Sequence, residues 1–163
     1  MGDSTPQFSP TYLQLRERIL SLKPADLGLS PSESAPHVWG VLVELGYKVG
    51  SATLVVLADG TTSLNYSTGG GLLGRGDYAP LAQASKALVT AAQPLVEQME
   101  PTREFSLPAA GQVRFILLTY SGVYTTSASE KSLASGKHPL ALAFQRVQEI
   151  LGQLHQLADK KRK

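Results

Sequence analysis

The residues of this chain that come closest to a chemical motif are glycines. Gly69, Gly70, Gly71, Gly74 and Gly76 crowd one short stretch, and Arg75 stands among them. Gly69-Gly70-Gly71-Leu72-Leu73-Gly74 fits the spacing G-x-G-x-x-G, in which bare backbone approaches a pyrophosphate at the start of a helix. The surroundings fit less well. The strand expected before the run is the second arm of a hairpin, and the next helix is expected only near Asp77. No acidic residue ends a strand about 20 residues further on, where the dinucleotide pattern needs one. Read instead as a phosphate loop, the run has Arg75-Gly76 where Lys and Ser or Thr are required. What remains is a candidate anion or small-ligand site of exposed N–H groups, with Gly69, Gly70, Gly71, Gly74 and Arg75 as its residues. Asp77 opposes an anion at that helix start. Valine at Gly70 or Gly71 is expected to abolish such binding and to leave the fold largely intact.

Other chemistry is sparse. The chain has no cysteine, which removes disulfides, thiolate catalysis and Cys-ligated metals. His37, His138 and His155 lie far apart without metal-ligand spacing, and His138, just before Pro139, reads as a helix cap. No serine sits in G-x-S-x-G, and no nucleophile–base pair can be nominated. Glu44, placed on the wetter face of its strand, has no visible partner. Tyr47, Tyr66, Tyr120 and Tyr124 read as half-buried sheet residues rather than a binding surface. Arg75-Gly76-Asp77 spells an adhesion tripeptide, which reads as chance. No catalytic residue, metal site or cofactor is therefore expected, and the reading leans away from an enzyme.

The elements that hold these residues follow from periodicity. Ser9 caps a helix that opens with Pro10, and Tyr12, Leu15, Ile19 and Leu22 form its apolar face. Pro24 ends it, and residues 24–36 form a loop. His37–Tyr47 is a strand with Trp39, Val41, Val43 and Leu45 on one face and Val38, Gly40, Leu42 and Glu44 on the other. Ala52–Ala58 is a second strand. Asp59-Gly60 then predicts a two-residue type I′ hairpin, which needs positive φ at both central positions. Thr61–Ser67 alternates as a third strand. From Asp77 a helix carries Leu81, Ala84, Leu88, Ala91, Leu95 and Met99, with Pro94 expected to kink or end its first part. Gln112–Tyr120 and Val123–Ser127 are the fourth and fifth strands. Ser129–Lys137 reads as a flexible loop, and a last helix runs from Pro139 to about Ala158.

The expected fold is one α+β domain over residues 1–163: a five-stranded, mostly antiparallel sheet packed by helices, in the order α-β-β-β-α-β-β-α. Residues 1–8 form a loose arm and residues 159–163 a basic tail. This order resembles profilin-like folds, roadblock and longin domains among them, at the level of element order. Val38-Trp39-Gly40, Ala58-Asp59-Gly60-Thr61-Thr62-Ser63 and Gly69-Gly70-Gly71 together resemble a pattern in uncharacterised bacterial proteins. That resemblance implies a family and no transferable activity or site.

The net charge of +2 comes from the tail. Without Lys160–Lys163, 11 of the 15 basic residues remain against 13 acidic ones, so nucleic acid is not an expected partner. No apolar run reaches the ~18–20 residues of a membrane helix. The N-terminus lacks a signal pattern, and Pro6 breaks the myristoylation motif that Met1-Gly2 opens. The expectation is a cytoplasmic, non-enzymatic interaction or regulatory module acting as a homodimer or with a protein partner. The alternative is an anion or small-ligand binder using residues 69–76.

Overall fold

The computed structural model describes residues 8–74 and 79–162, with the side chains of residues 160–162 outside that description. The first seven residues of the expected arm, Arg75, Gly76, Asp77, Lys163 and the side chains of Lys160, Lys161 and Arg162 therefore lie outside the described residues. Helix α1 spans Pro10–Leu20. Strands β1 (Val38–Tyr47), β2 (Gly50–Leu57), β3 (Thr62–Tyr66) and β4 (Gly71–Gly74) follow as a meander. Helix α2 covers Ala79–Ala92 and passes at Gln93-Pro94 into a 3-10 turn, where proline cannot donate to the helical ladder. Then come β5 (Glu100–Pro101), β6 (Gln112–Thr119), β7 (Gly122–Ser129), α3 (Glu130–Ala134) and α4 (Ala141–Arg162).

The fold is α+β with an open antiparallel sheet, and among the described residues there are four α-helices and the sheet has seven strands rather than five. Its order is β4-β3-β2-β1-β6-β7-β5. The two extra strands are the edges. β4 hides in the glycine run, because glycine carries no strand signal. β5 is only two residues long. The stretch expected as a loop after Ser129 contains α3, capped by Ser129, whose Oγ accepts the Ser132 N–H at 3.1 Å.

Each face of the sheet buries a separate apolar cluster. Val41, Val43, Leu54, Leu64, Phe115 and Leu117 face α2 and α4, meeting Leu81, Leu88, Val147, Ile150 and Leu154. Burying each such side chain contributes about 1.5–3 kcal/mol relative to leaving it exposed. The other face carries Trp39, Leu42, Val55, Leu57, Ile116 and Leu118, covered by Ile19, Leu22, Leu27, Leu29 and Phe105. Trp39 was expected beside Val41. The β1–β6 register shifts between Val38 and Gly40, and this bulge turns Val38 toward Val41's side and Trp39 toward Leu42's.

The two hairpins around β3 are built alike. Leu57 accepts from the Gly60 N–H at 2.9 Å and donates to the Thr61 carbonyl at 2.9 Å. Tyr66 accepts from the Gly69 N–H at 3.0 Å and donates to the Gly70 carbonyl at 3.1 Å. Each loop therefore has three residues, ending in a glycine at φ 93° (Gly60) or 114° (Gly69). No non-glycine described residue has positive φ, so Asp59 cannot sit in a type I′ turn. The expected two-residue turn is a three-residue turn with a glycine bulge, and Asp59 serves it through Oδ1, which accepts the Thr61 N–H at 2.9 Å.

Candidate functional site

The sheet face under α1 contains a row of polar residues that runs across the strands. Asn65 pairs with Thr53, Thr53 with Glu44, Glu44 with Arg114, and Arg114 with Ser127. Glu44 is 0% exposed. Its carboxylate receives Arg16 as a fork, Nε to Oε2 and Nη2 to Oε1, both at 2.7 Å. Arg16 is itself only 11% exposed along its side chain. Glu44, read as a carboxylate on the wetter face of its strand with no visible partner, is buried and has one. A buried carboxylate must be paired, and α1 brings the partner.

Helical spacing puts Tyr12 on the same face of α1 as Arg16, one turn earlier. The Tyr12 hydroxyl lies 2.5 Å from Thr53 Oγ1 and 3.0 Å from Ser51 Oγ. Thr53 donates to Glu44 Oε2 at 2.7 Å. With the Thr53 proton committed, Tyr12 must donate to Thr53, and Ser51 to Tyr12. The hydroxyl chain starts at Ser51, runs through Tyr12 and Thr53, each donating once and accepting once, and ends on Glu44. Burial pushes the Tyr12 hydroxyl pKa up, against the lowering effect of its bonds to Ser51 and Thr53. Burial alone would lower the Arg16 pKa, but the hydrogen bond and charge of Glu44 outweigh it, and the net shift is upward. This cluster clasps α1 to the sheet. Glu44 is already the acceptor of three hydrogen bonds, so it is poorly placed to serve as a base.

The nominated glycines divide by role. Gly69 and Gly70 line a small depression with Ser9, Thr11, Tyr12, Leu15, Asn65 and Tyr66. Its volume is about 120 Å³, against roughly 300–1,000 Å³ for drug-sized ligand sites. No cation lines it among the described residues. Gly71 lies in β4 with no room for a side chain: a Cβ would fall 2.4 Å from the Leu64 carbonyl oxygen. A valine there would break the hairpin rather than spare the fold. At Gly74 a Cβ would fall 2.1 Å from Leu81 Cδ2, so this glycine lets β4 settle on α2. Arg75 lies outside the described residues.

Beside the depression, a groove of about 390 Å³ runs between α1 and β4, lined by Leu15, Ile19, Ser63, Asn65, Leu72 and Leu73. Leu73 is 54% exposed and Leu15 36% exposed. Phe8, expected in the loose arm, packs edge-on against Tyr12 with ring centroids 6.5 Å apart. The Ser9 N–H donates to the Ser67 carbonyl at 2.7 Å, which ties the start of α1 to the β3–β4 turn.

The histidines stay apart. His138 caps the start of α4's approach by accepting the Leu140 N–H on Nδ1 at 3.0 Å. His155 Nδ1–H must donate to the Leu151 carbonyl (2.7 Å), so in the neutral ring Nε2 accepts from the Tyr66 hydroxyl at 3.3 Å. Tyr66 and Tyr124 pack on the α2/α4 side and Tyr120 on the other, so the four tyrosines form no common surface. Among the described residues no group of three or more His, Asp or Glu is placed to hold a metal, and no helix is long and apolar enough to cross a membrane. Comparison of the chain with protein-family models, with curated proteins and with solved structures finds no match.

Proposed function

We propose that the protein is a small cytoplasmic, non-enzymatic interaction module that meets its partner along β4, the edge strand of the sheet, and the groove between that strand and α1. One observation carries this reading: among the described residues the edge is uncharged and open, with Leu73 exposed beside it. The saturation of Glu44 supports it, since the buried carboxylate serves the fold. A panel of extended, uncharged peptides with alternating apolar residues tests it. Titrated into labelled protein, they should shift the amide resonances of Gly71 and Leu73 before any others. Turnover of a substrate at a site elsewhere, with these two amides unmoved by every peptide, would overturn the reading.

The depression at Gly69 and Gly70 favours a second reading, as a site for a small hydrogen-bonding ligand. Ser9, Thr11, Tyr12 and Asn65 line it together with the two glycines. Thermal melting against a panel of phosphates, nucleotides and small polyols is the test. A stabilising shift that Asn65→Ala removes sustains it, and no shift across the panel sinks it.

A further inference from the structure

The two edges of the sheet are finished differently. At one end β5 offers two residues, Glu100 and Pro101. Proline has no N–H to give, and the carboxylate discourages a stacked strand, so this edge is blunted. At the other end β4 offers Gly71-Leu72-Leu73-Gly74, with no charge and no proline. We infer that two copies of this chain pair antiparallel along β4, about a two-fold axis at Leu72. The inference rests on the reading of that edge as the interaction surface.

The register follows from the ladder. Tyr66 and Gly70 form a hydrogen-bonded pair, because the Tyr66 N–H donates to the Gly70 carbonyl. Antiparallel pairs alternate, so Leu72 and Gly74 turn their main-chain groups toward β3, opposite Leu64 and Thr62. Gly71 and Leu73 turn theirs outward. A two-fold axis perpendicular to the sheet pairs residues that face the same way. With the axis at Leu72, Gly71 of each copy exchanges hydrogen bonds with Leu73 of the other. Every group used lies on a described residue. Each Leu73 side chain then lies over a glycine, which opposes it with nothing, and extends the apolar surface of Leu15 and Ile19.

Two features select a second copy as the occupant. Gly71–Gly74 carry no charge, so the described edge is matched by itself, with no like charges brought face to face along it. The far edge of each sheet is the blunted β5, so pairing closes at two copies and does not propagate into a fibre. Four main-chain hydrogen bonds with one apolar contact per copy form a small interface, so the dimer is weak and depends on concentration.

The absence of cysteine makes the register testable. At Leu72 the opposing Cα atoms of a non-hydrogen-bonded pair lie ~4.5 Å apart, within disulfide reach. Under mild oxidation Leu72→Cys should give a covalent dimer and Leu73→Cys should not. Light scattering of the unmodified chain should show the mass rising with concentration from 17.4 kDa toward twice that value. Leu73→Pro removes an outward N–H and Leu73→Lys places two like charges diagonally across the two-fold, and both should stay monomeric. Circular dichroism of the lysine variant guards against simple misfolding. Cross-linking at 73 but not at 72, or a dimer untouched by both Leu73 variants, overturns the proposal. A strict monomer at high concentration overturns the second copy alone if an extended peptide still shifts Gly71 and Leu73, and overturns both readings if none does.

Discussion

β1, β2 and β6 present one face to α2 and α4 and the other to α1, and the two interfaces are made in different ways. Under α2 and α4 the contact is apolar: Leu54, Leu64 and Phe115 against Leu81, Leu88 and Val147, all almost wholly buried. Such packing is non-directional and tolerates sliding by a small step. Under α1 only Tyr12 is buried on the helix, and Leu13 and Leu15 remain partly exposed. Ile19 and Leu20 add apolar contact at the end of the helix, and directed bonds fix its place, the Arg16 fork onto Glu44 and the hydroxyl chain through Tyr12. An apolar interface stabilises by area, whereas a polar clasp chiefly sets position. The clasp holds α1 in the one register that shapes the groove beside β4.

The sharpest way to break this contrast is to remove half of the clasp. Arg16→Ala leaves Glu44 buried and unpaired, and should cost about 3–5 kcal/mol in urea unfolding. The double variant Arg16→Met, Glu44→Leu should lie much nearer the parent, because the buried charge goes with its partner. Additive losses in the double variant would show that the pair stabilises outright, and the contrast between the faces would fail. On the apolar side, Leu88→Ala should cost about 2–5 kcal/mol through lost burial and a residual cavity. No second substitution nearby should rescue it by charge removal. Equal rescue on both faces would argue that the two interfaces work alike.

The sequence shows the two faces unequally. The apolar side is legible, since Leu81, Leu88 and Leu95 recur at helical spacing and the β1, β2 and β6 runs are continuous. Pro94 and His138 also announce their roles, because each acts on its neighbours in the chain. The clasp joins residues 28 positions apart, a separation that no local pattern records. One signal was available: Glu44 stands alone in the apolar run Val38–Leu45, and a charge in a central strand requires a partner. Tyr12 and Arg16, one helical turn apart, were the residues to supply it. β4 was hidden for another reason. Gly71 and Gly74 serve close packing against Leu64 and Leu81, and glycine chosen for closeness looks in sequence like glycine chosen for a loop.

A smaller test addresses the hydroxyl chain. Tyr12→Phe keeps the ring and removes the bonds to Thr53 and Ser51, at a cost of about 1–2 kcal/mol. It should also change the alkaline limb. Burial raises the folded-state pKa of Tyr12 above its ordinary value of 10.0. Above that ordinary value the unfolded chain releases a proton that the folded chain still holds, so stability falls as pH rises. This contribution is fully present below pH 10.0 and is lost as the pH climbs through the folded-state pKa. The phenylalanine variant should show a shallower decline above pH 10 in denaturant titrations. An unchanged slope would mean that Tyr12 is not held neutral by its place in the clasp.

The least costly substitutions compare the two matched turns. Gly60 and Gly69 occupy the same position in three-residue loops, at φ 93° and 114°. An alanine at either must adopt a conformation that costs L-residues about 1–2 kcal/mol. At Gly69 the added methyl meets nothing within 4 Å, so Gly69→Ala should show that strain alone. At Gly60 it would lie 3.1 Å from Ala82 Cβ, where the first hairpin rests on α2. Gly60→Ala should therefore lose more than Gly69→Ala, and trimming the neighbour with Ala82→Gly in both backgrounds should bring the two turn penalties together. Equal penalties before trimming would show that α2 yields to the methyl, and that even the apolar side of the sheet holds its helix less tightly than its packing implies.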